Sequence, residues 1–301
     1  MGARVLVTGA LGQIGTELVE ALEKKHGSEN VIATDVREEG DCRVLDVMDA
    51  EGILSLVGDE GITEIYHLAA LLSATGERNP ELCWKINVGG LENVIAAAKM
   101  HGCRVFSPSS IAVFGPDCPS IAPQVTPLNP TTVYGKTKVV CEQLAMTSGI
   151  DMCGLRYPGL ISYKAPAGGG TTDYAVEIFH AALAEGHYTC FVREDTRLPM
   201  MYMDDAIRAT LELMDVPSES LGGSRGGYNV TGCSFTAGEL VASIQRHLPD
   251  FTCTYEPDVR QKYADSWPND IEDDIAREEW GWMPEFDLDG MVDAMFAGLQ
   301  A

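Results

Sequence analysis

The 301-residue sequence predicts an α/β fold, a doubly wound parallel sheet followed by a smaller C-terminal lobe. Three observations carry that expectation. Short apolar runs at 4–8, 30–35, 63–69, 104–107 and 152–157 alternate with helix-length amphipathic stretches at 12–25, 80–101 and 133–148. Such alternation implies right-handed strand–helix–strand crossovers and a parallel sheet covered on both faces. The first apolar run passes directly into a glycine loop, and after Tyr157 the pattern loosens into a hinge-like Lys164-Ala-Pro-Ala-Gly-Gly-Gly170 before short elements resume. The expected division is a sheet domain over 1–160, to which segments near 198–232 return, and a lobe made mainly of 161–301.

Taken in order, the first element is the strand leading to Thr8-Gly9-Ala10-Leu11-Gly12-Gln13-Ile14-Gly15, with a helix after it. Glycines at this spacing allow a tight turn, close approach of backbone to a pyrophosphate and close packing of helix on strand, while the helix start offers N–H groups to an anion. The sheet domain is therefore expected to be of Rossmann type and to bind a dinucleotide. Asp35 ends the second strand about 20 residues past the glycines, where a carboxylate accepts from ribose hydroxyls and repels a 2′-phosphate. That favours NAD over NADP, with the nearby Arg37 as the one feature pulling the other way. Asp46, after Val44-Leu45, either reaches the adenine edge or is a plain turn acid.

His67, in the apolar strand Ile65-Tyr-His-Leu-Ala, reads as a satisfied core histidine. Over 80–101, Leu82, Ile86, Val94, Ile95 and Ala98 recur near the helical period, so that face is expected to pack on the sheet. Ser109 and Ser110 follow the strand at 104–107, at the sheet edge where open α/β folds bind ligands. A hydroxyl there can bond a reacting oxygen, and Ser110 is the preferred one. Tyr134 and Lys138 are four apart on one helix face. A free phenol titrates at about 10 and is a poor base at neutral pH; an adjacent ammonium favours the phenolate. Ser110, Tyr134 and Lys138 are thus the expected catalytic set.

Composition narrows the partners. Forty-five acidic against 21 basic side chains give a formal charge of -24, which repels nucleic-acid backbones and anionic membranes. There is no charged-then-apolar leader and no long apolar run, so a soluble, unprocessed cytoplasmic protein is expected. The nine cysteines are scattered, with no C-x-x-C pair; they read as reduced thiols, and no metal site is expected.

These residues together resemble the epimerase-like branch of the extended short-chain dehydrogenase/reductase family. The resemblance rests on the glycine loop, His67-Leu-Ala-Ala70, Asn87-Val88, Ser109-Ser-Ile-Ala-Val-Phe-Gly115, Tyr134-x-x-x-Lys138 and Arg156-Tyr-Pro158. Further strings are similar to the metal-free L-threonine 3-dehydrogenases of that branch: Leu71-Leu-Ser-Ala74, Leu155-Arg-Tyr-Pro-Gly-Leu-Ile-Ser162, Gly169-Gly-Thr-Thr-Asp-Tyr-Ala175, Arg197-Leu-Pro-Met-Met-Tyr-Met-Asp-Asp-Ala206, Tyr228-Asn-Val230 and Ser266-Trp-Pro268.

With what the resemblance implies added, the expected NAD contacts are Gly9, Gly12, Gln13, Ile14, Gly15, Asp35, Arg37, Asp46, Val47, Leu68, Ala69, Ala70, Asn87, Tyr134, Lys138, Tyr157 and Pro158. The expected substrate contacts are Ser73, Ser109, Ser110, Tyr134, Thr171, Thr172 and Asp173, although Asp173 serves equally well as the N-cap of the next helix. The resemblance also implies oxidation of L-threonine at its β-hydroxyl, a homodimer joined through 80–101 and 133–148, and a functional link to a 2-amino-3-oxobutanoate CoA ligase. A nucleotide-sugar 4-epimerase shares the loop and the Tyr/Lys pair, and a non-catalytic NAD-sensing protein is the remaining alternative.

Overall fold

A computed structural model describes residues 2–165 and 168–301. The sheet begins with β1 (Val5–Thr8), crosses over through α1 (Gln13–His26) to β2 (Val31–Asp35) and β3 (Arg43–Val44), and continues through α2 (Ala50–Asp59) to β4 (Glu64–His67). Three short pieces follow: α3 (Ser73–Arg78), α4 (Pro80–Trp84) and, after a π-helical turn at Lys85–Gly89, α5 (Gly90–His101). Then come β5 (Arg104–Phe106), β6 (Ser109–Ser110), β7 (Ile121–Ala122), α6 (Val133–Thr147), β8 (Met152–Cys153), β9 (Leu155–Tyr157) and β10 (Gly159–Ile161). Six strands pair in parallel in the order β3-β2-β1-β4-β5-β8.

Alternation of side chains along these strands makes two separate cores. Leu6, Ile65, Val105 and Met152 point to the face covered by α2, α5 and α6, meeting Ile53, Val57, Val94 and Ala145. Val5, Val7, Tyr66, Phe106 and Cys153 point to the other face, meeting Leu18 and Leu22 of α1. Burying both faces explains why the strands read as continuous apolar runs.

After β10 the chain adds α7 (Tyr174–Glu185), β11 (His187–Cys190), β12 (Arg197–Tyr202), α8 (Met203–Asp215), β13 (Tyr228–Asn229), β14 (Cys233–Thr236), α9 (Ala237–Gln245), β15 (Thr252–Tyr255), α10 (Val259–Ala264), β16 (Asp270–Ile271), α11 (Asp274–Trp280) and α12 (Leu288–Leu299). A third core, with Tyr174, Phe179, Met200, Phe235, Trp267 and Phe296, holds this part together. Two of its elements reach back to the sheet domain. The strand β13 pairs in parallel with β9, and α8 buries Met203, Ala206 and Leu213 in the same core as α1.

The helix expected at 80–101 differs from the periodic reading. Val94 and Ala98 are buried as expected, but Leu82 is 47% exposed. The π turn at Lys85–Gly89 is the physical reason. One extra residue in the turn rotates the preceding face by roughly 100° relative to the following one, so Leu82 leaves the stripe that Val94 and Ala98 share. Of the loop expected at 164–170, Pro166 and Ala167 lie outside the described residues, as does Met1. Among the described residues no helix is long and apolar enough to cross a membrane, and all nine cysteines are free thiols, five of them buried.

Candidate active site

The C-terminal ends of the central strands open onto one groove with two connected halves. The first half, about 730 Å³, is lined by Gly9, Gly12, Asp35, Arg37, Asp46, Val47, Leu68, Ala69 and Ala70. The second, about 800 Å³, is lined by Gln13, Ile14, Leu68, Ala70, Ser73, Ser109, Ser110, Tyr134, Lys138, Tyr157, Pro158, Thr171, Thr172 and Asp173. Leu68 and Ala70 border both.

The first half is built from the glycine loop. Gly9 has φ of +73°, and a Cβ there would lie 2.7 Å from the Ala69 backbone nitrogen, so only glycine fits. A Cβ on Gly15 would meet the Gly9 carbonyl oxygen at 2.3 Å; Gly15 is absent from the groove walls because its task is to let α1 sit on the loop. The N-cap of α1 is Gly12, with no side-chain cap and no acid in the first turn, which leaves the helix start electropositive toward the groove. Asp35 is 7% exposed and accepts from the backbone N–H of Leu11 at 3.2 Å and of Arg37 at 3.1 Å. The Arg37 guanidinium is tied to Asp35 at 3.2 Å and donates to the Leu11 carbonyl at 2.6 Å. Asp46 faces the groove and also accepts from Met48 N–H at 2.9 Å, so it is a turn acid and a wall residue together.

Tyr134 and Lys138 stand one turn apart at the start of α6. Thr132 caps this helix by accepting from Gly135 N–H at 3.0 Å, and a Glu77 carboxylate oxygen accepts from Val133 N–H at 2.5 Å. The Lys138 ammonium lies 5.7 Å from the Tyr134 ring centroid and donates to the Pro108 carbonyl at 2.7 Å, which ties the helix to the segment carrying the serines. The two serines are not equivalent. Ser109 is 4% exposed and donates its hydroxyl to Glu142 at 2.5 Å. The Ser110 hydroxyl accepts from Ala112 N–H at 3.2 Å, which leaves its proton for a ligand in the groove.

The remaining wall comes from segments far apart in the chain. The Ser73 and Thr171 hydroxyl oxygens lie 3.4 Å apart, with Thr172 beside them. Asp173 makes no N-cap bond; its carboxylate turns back to accept from Gly169 and Gly170 N–H, each at 2.7 Å, and so braces the segment 168–170 that precedes α7. Burial holds its carboxyl above the usual aspartate value. Tyr157 borders the groove but directs its hydroxyl to Ala206 and Thr210 of α8, where burial pushes the phenol well above its usual range. Asn87 stands outside the groove walls, in the π turn. Its amide clamps the Leu71 backbone on both sides, accepting from N–H at 2.8 Å and donating to the carbonyl at 3.1 Å, and it also donates to Thr137 at 3.1 Å. His67 is buried, with Nδ1 2.8 Å from the Thr8 hydroxyl; burial first and the Lys138 charge second push it down to about 3, so it is a neutral core residue.

Comparison with known proteins agrees with this geometry. Residues 5–230 match the NAD dependent epimerase/dehydratase family. The chain belongs to that family. An uncharacterized epimerase/dehydratase of Staphylococcus haemolyticus is 44% identical over 99% of this chain and 98% of its own length. Among solved structures, a monomeric L-threonine 3-dehydrogenase from a metagenome is 52% identical over 98% of each chain, with a TM-score of 0.94. The GalE-like L-threonine dehydrogenase of Cupriavidus necator in its holo form is 48% identical, covering 98% of this chain and 99% of the other, with a TM-score of 0.95.

A member of this epimerase/dehydratase family takes a nicotinamide cofactor, and the residues present fit one: a pyrophosphate has the glycine loop and the uncapped helix start, and a ribose has Asp35. Several wall residues were not expected from sequence reasoning. Val36, Leu45, Leu71 and Ile86 complete the first half, and Leu72, Pro108, Ile111, Gly159, Leu160, Gly170 and Trp267 complete the second. Trp267 had a signal in the Ser266-Trp-Pro268 string, but nothing local connects it to a groove whose other walls all lie at Asp173 or earlier. Among the described residues no group of three or more His, Cys, Asp and Glu side chains is placed to hold a metal ion.

Proposed function

We propose that this chain is an NAD-dependent oxidoreductase that oxidises L-threonine at its β-hydroxyl, giving L-2-amino-3-oxobutanoate and NADH. The observation that carries the reading is that Ser110, Tyr134 and Lys138 line the same half of the groove as Ser73, Thr171 and Thr172. Bound in the groove, the nicotinamide supplies the hydride acceptor. Tyr134 takes the proton of the substrate hydroxyl, and Ser110 hydrogen-bonds the same oxygen as its charge develops. Lys138, held by Pro108, keeps a positive charge beside the phenol. Hydroxyls of Ser73, Thr171 and Thr172 bind the amino acid's charged groups, while Leu72, Ile111, Leu160 and Trp267 make the apolar wall that excludes water.

NAD rather than NADP is favoured because the Asp35 carboxylate at the end of β2 would repel a 2′-phosphate, and Arg37 is engaged with Asp35 and Leu11. The product, a β-keto acid, is expected to pass to a 2-amino-3-oxobutanoate CoA ligase in the cytoplasm. A homodimer through 80–101 and 133–148 is supported by Leu82 and Trp84, which are 47% and 39% exposed. The metagenome relative is described as monomeric, so a single-chain mass in sedimentation would remove this part alone.

The test is NADH formation with NAD and a panel of L-threonine, D-threonine, L-allo-threonine and L-serine, alongside chromatography of UDP-glucose and UDP-galactose for their interconversion, which yields no net NADH. Turnover of L-threonine alone is expected. Conversion of a UDP-sugar with silence across the amino acids would make the chain a nucleotide-sugar epimerase.

A further inference from the structure

Behind the catalytic groups lies a buried ion pair that the reaction does not touch. Glu142 and Arg156 are 9% and 8% exposed. Arg156 donates from Nε to Glu142 Oε1 and from Nη2 to Oε2, both at 2.8 Å, in the two-bond geometry that fixes direction as well as distance. The same Oε1 accepts the Ser109 hydroxyl at 2.5 Å. From its other side Arg156 Nη1 donates to the Gln124 carbonyl at 3.0 Å and the Asn229 amide oxygen at 3.2 Å. Room for the carboxylate comes from Gly227, where a Cβ would lie 2.5 Å from Glu142 Oε1.

Position in the chain gives the pair its meaning. Glu142 is four residues beyond Lys138 on α6, so both lie on one helix face. Ser109 precedes Ser110, and Arg156 precedes Tyr157 and Pro158, which line the groove. Ser109 is in register with Arg156, and Ser110 with Tyr157. One carboxylate therefore joins the helix that carries the base to both strands that face it. Stability is a weak reason for such an arrangement, since apolar side chains of similar volume often replace a buried pair without loss. What an apolar pair cannot do is set direction.

We propose that Glu142 and Arg156 are positioning residues that hold the Ser110 hydroxyl in reach of the Tyr134–Lys138 pair. This rests on the catalytic roles given above. Loosening the clamp lets α6 slide relative to the Ser109–Ser110 strand, so proton transfer slows, while the Ser73, Thr171 and Thr172 hydroxyls and the glycine loop at 9–15, which lie on other segments, keep their hold on the two substrates.

The experiment compares the native holoenzyme with the double variant Glu142→Met/Arg156→Leu and with Arg156→Lys, measuring kcat, KM for each substrate and the melting temperature. In the double variant the expected result is a near-native melting temperature, kcat down about 100-fold and both KM values within about twofold. Arg156→Lys keeps the charge but loses the paired bonds, and kcat is expected to fall about tenfold. A double variant that melts and turns over like the native enzyme overturns the proposal, as does native kcat in Arg156→Lys should the double variant not fold. A native enzyme that turns over a UDP-sugar and not L-threonine sinks the substrate reading instead, and the variants are then compared on that sugar.

Discussion

The two halves of the groove are made in different ways. The dinucleotide half comes mainly from short-range structure: the glycine loop and the ends of β2, β3 and β4, on four neighbouring strands of one sheet, with Ile86 added from the π turn. The substrate half is assembled from Ser73 on α3, the loop before α7, Leu160 at β10 and Trp267 after α10, far apart in the chain and packed on two different cores. A cofactor site of this kind tolerates little change in backbone, whereas the substrate wall depends on side chains brought from four places. The proposed catalytic groups sit at the seam, on α6 and β6, where both halves must be in register.

The seam should show the largest effect. Replacing Tyr134 with Phe removes the proton acceptor and little volume, so kcat for L-threonine is expected to fall by about 10²–10⁴, with NAD binding retained by calorimetry. Near-native turnover in this variant would mean that the base lies elsewhere. The next effect is on the dinucleotide half alone. Gly9→Ala places a methyl group against the Ala69 backbone at a positive φ, which costs on the order of 1–3 kcal/mol in strain. The KM for NAD should rise at least roughly tenfold, about 1.4 kcal/mol, and the KM for L-threonine much less. Equal rises in both would show that the halves are not separable.

Thr171→Val tests the other side. It keeps the shape and removes the hydroxyl that faces Ser73, and a hydrogen bond to a charged group is worth about 1.5–3 kcal/mol. The KM for L-threonine is expected to rise roughly tenfold or more with the KM for NAD unchanged. An unaltered KM would place the amino acid against a different wall.

The contrast between the halves also explains what was legible in the sequence. Glycines at fixed spacing after a strand, an acid at the next strand end and a Tyr-x-x-x-Lys pair are local patterns with local causes, and all of them but Gly15 line the groove. Trp267 and Leu72 carry no such pattern because their place depends on packing in the third core, and Leu160 because its place depends on the core shared with α1 and α8. The exposure of Leu82 was illegible for another reason: helical periodicity assumes a constant turn, and the π turn at Lys85–Gly89 breaks it. That turn presents Asn87 to Leu71 and Thr137, so its role as a brace was hidden in a residue expected at the cofactor. Asp173 lines the groove but makes no cap bond; its Oδ2 accepts from two loop N–H groups, an option that depends on the folded-back shape of residues 168–170.

Acid should act on the two halves with opposite sign, though its effect at neutral pH is the smallest of those considered. His67, beneath the dinucleotide half, is held neutral with its value depressed to about 3. The unfolded chain takes up a proton at this residue below about 6.5 while the native state does not. Its contribution is therefore complete above that pH and is lost as pH falls toward 3, at up to about 1.4 kcal/mol per pH unit. Asp173, in the substrate loop, has its value raised by burial, so its native protonated form is favoured on the acid side and that advantage is lost as pH rises through the folded value. Melting temperatures of the native protein and His67→Leu, followed from pH 7 to pH 4, separate the two. The native protein should lose stability through this range and the variant less steeply. Parallel curves would mean that the proton acts on other groups and that the buried imidazole is not what limits the dinucleotide half in acid.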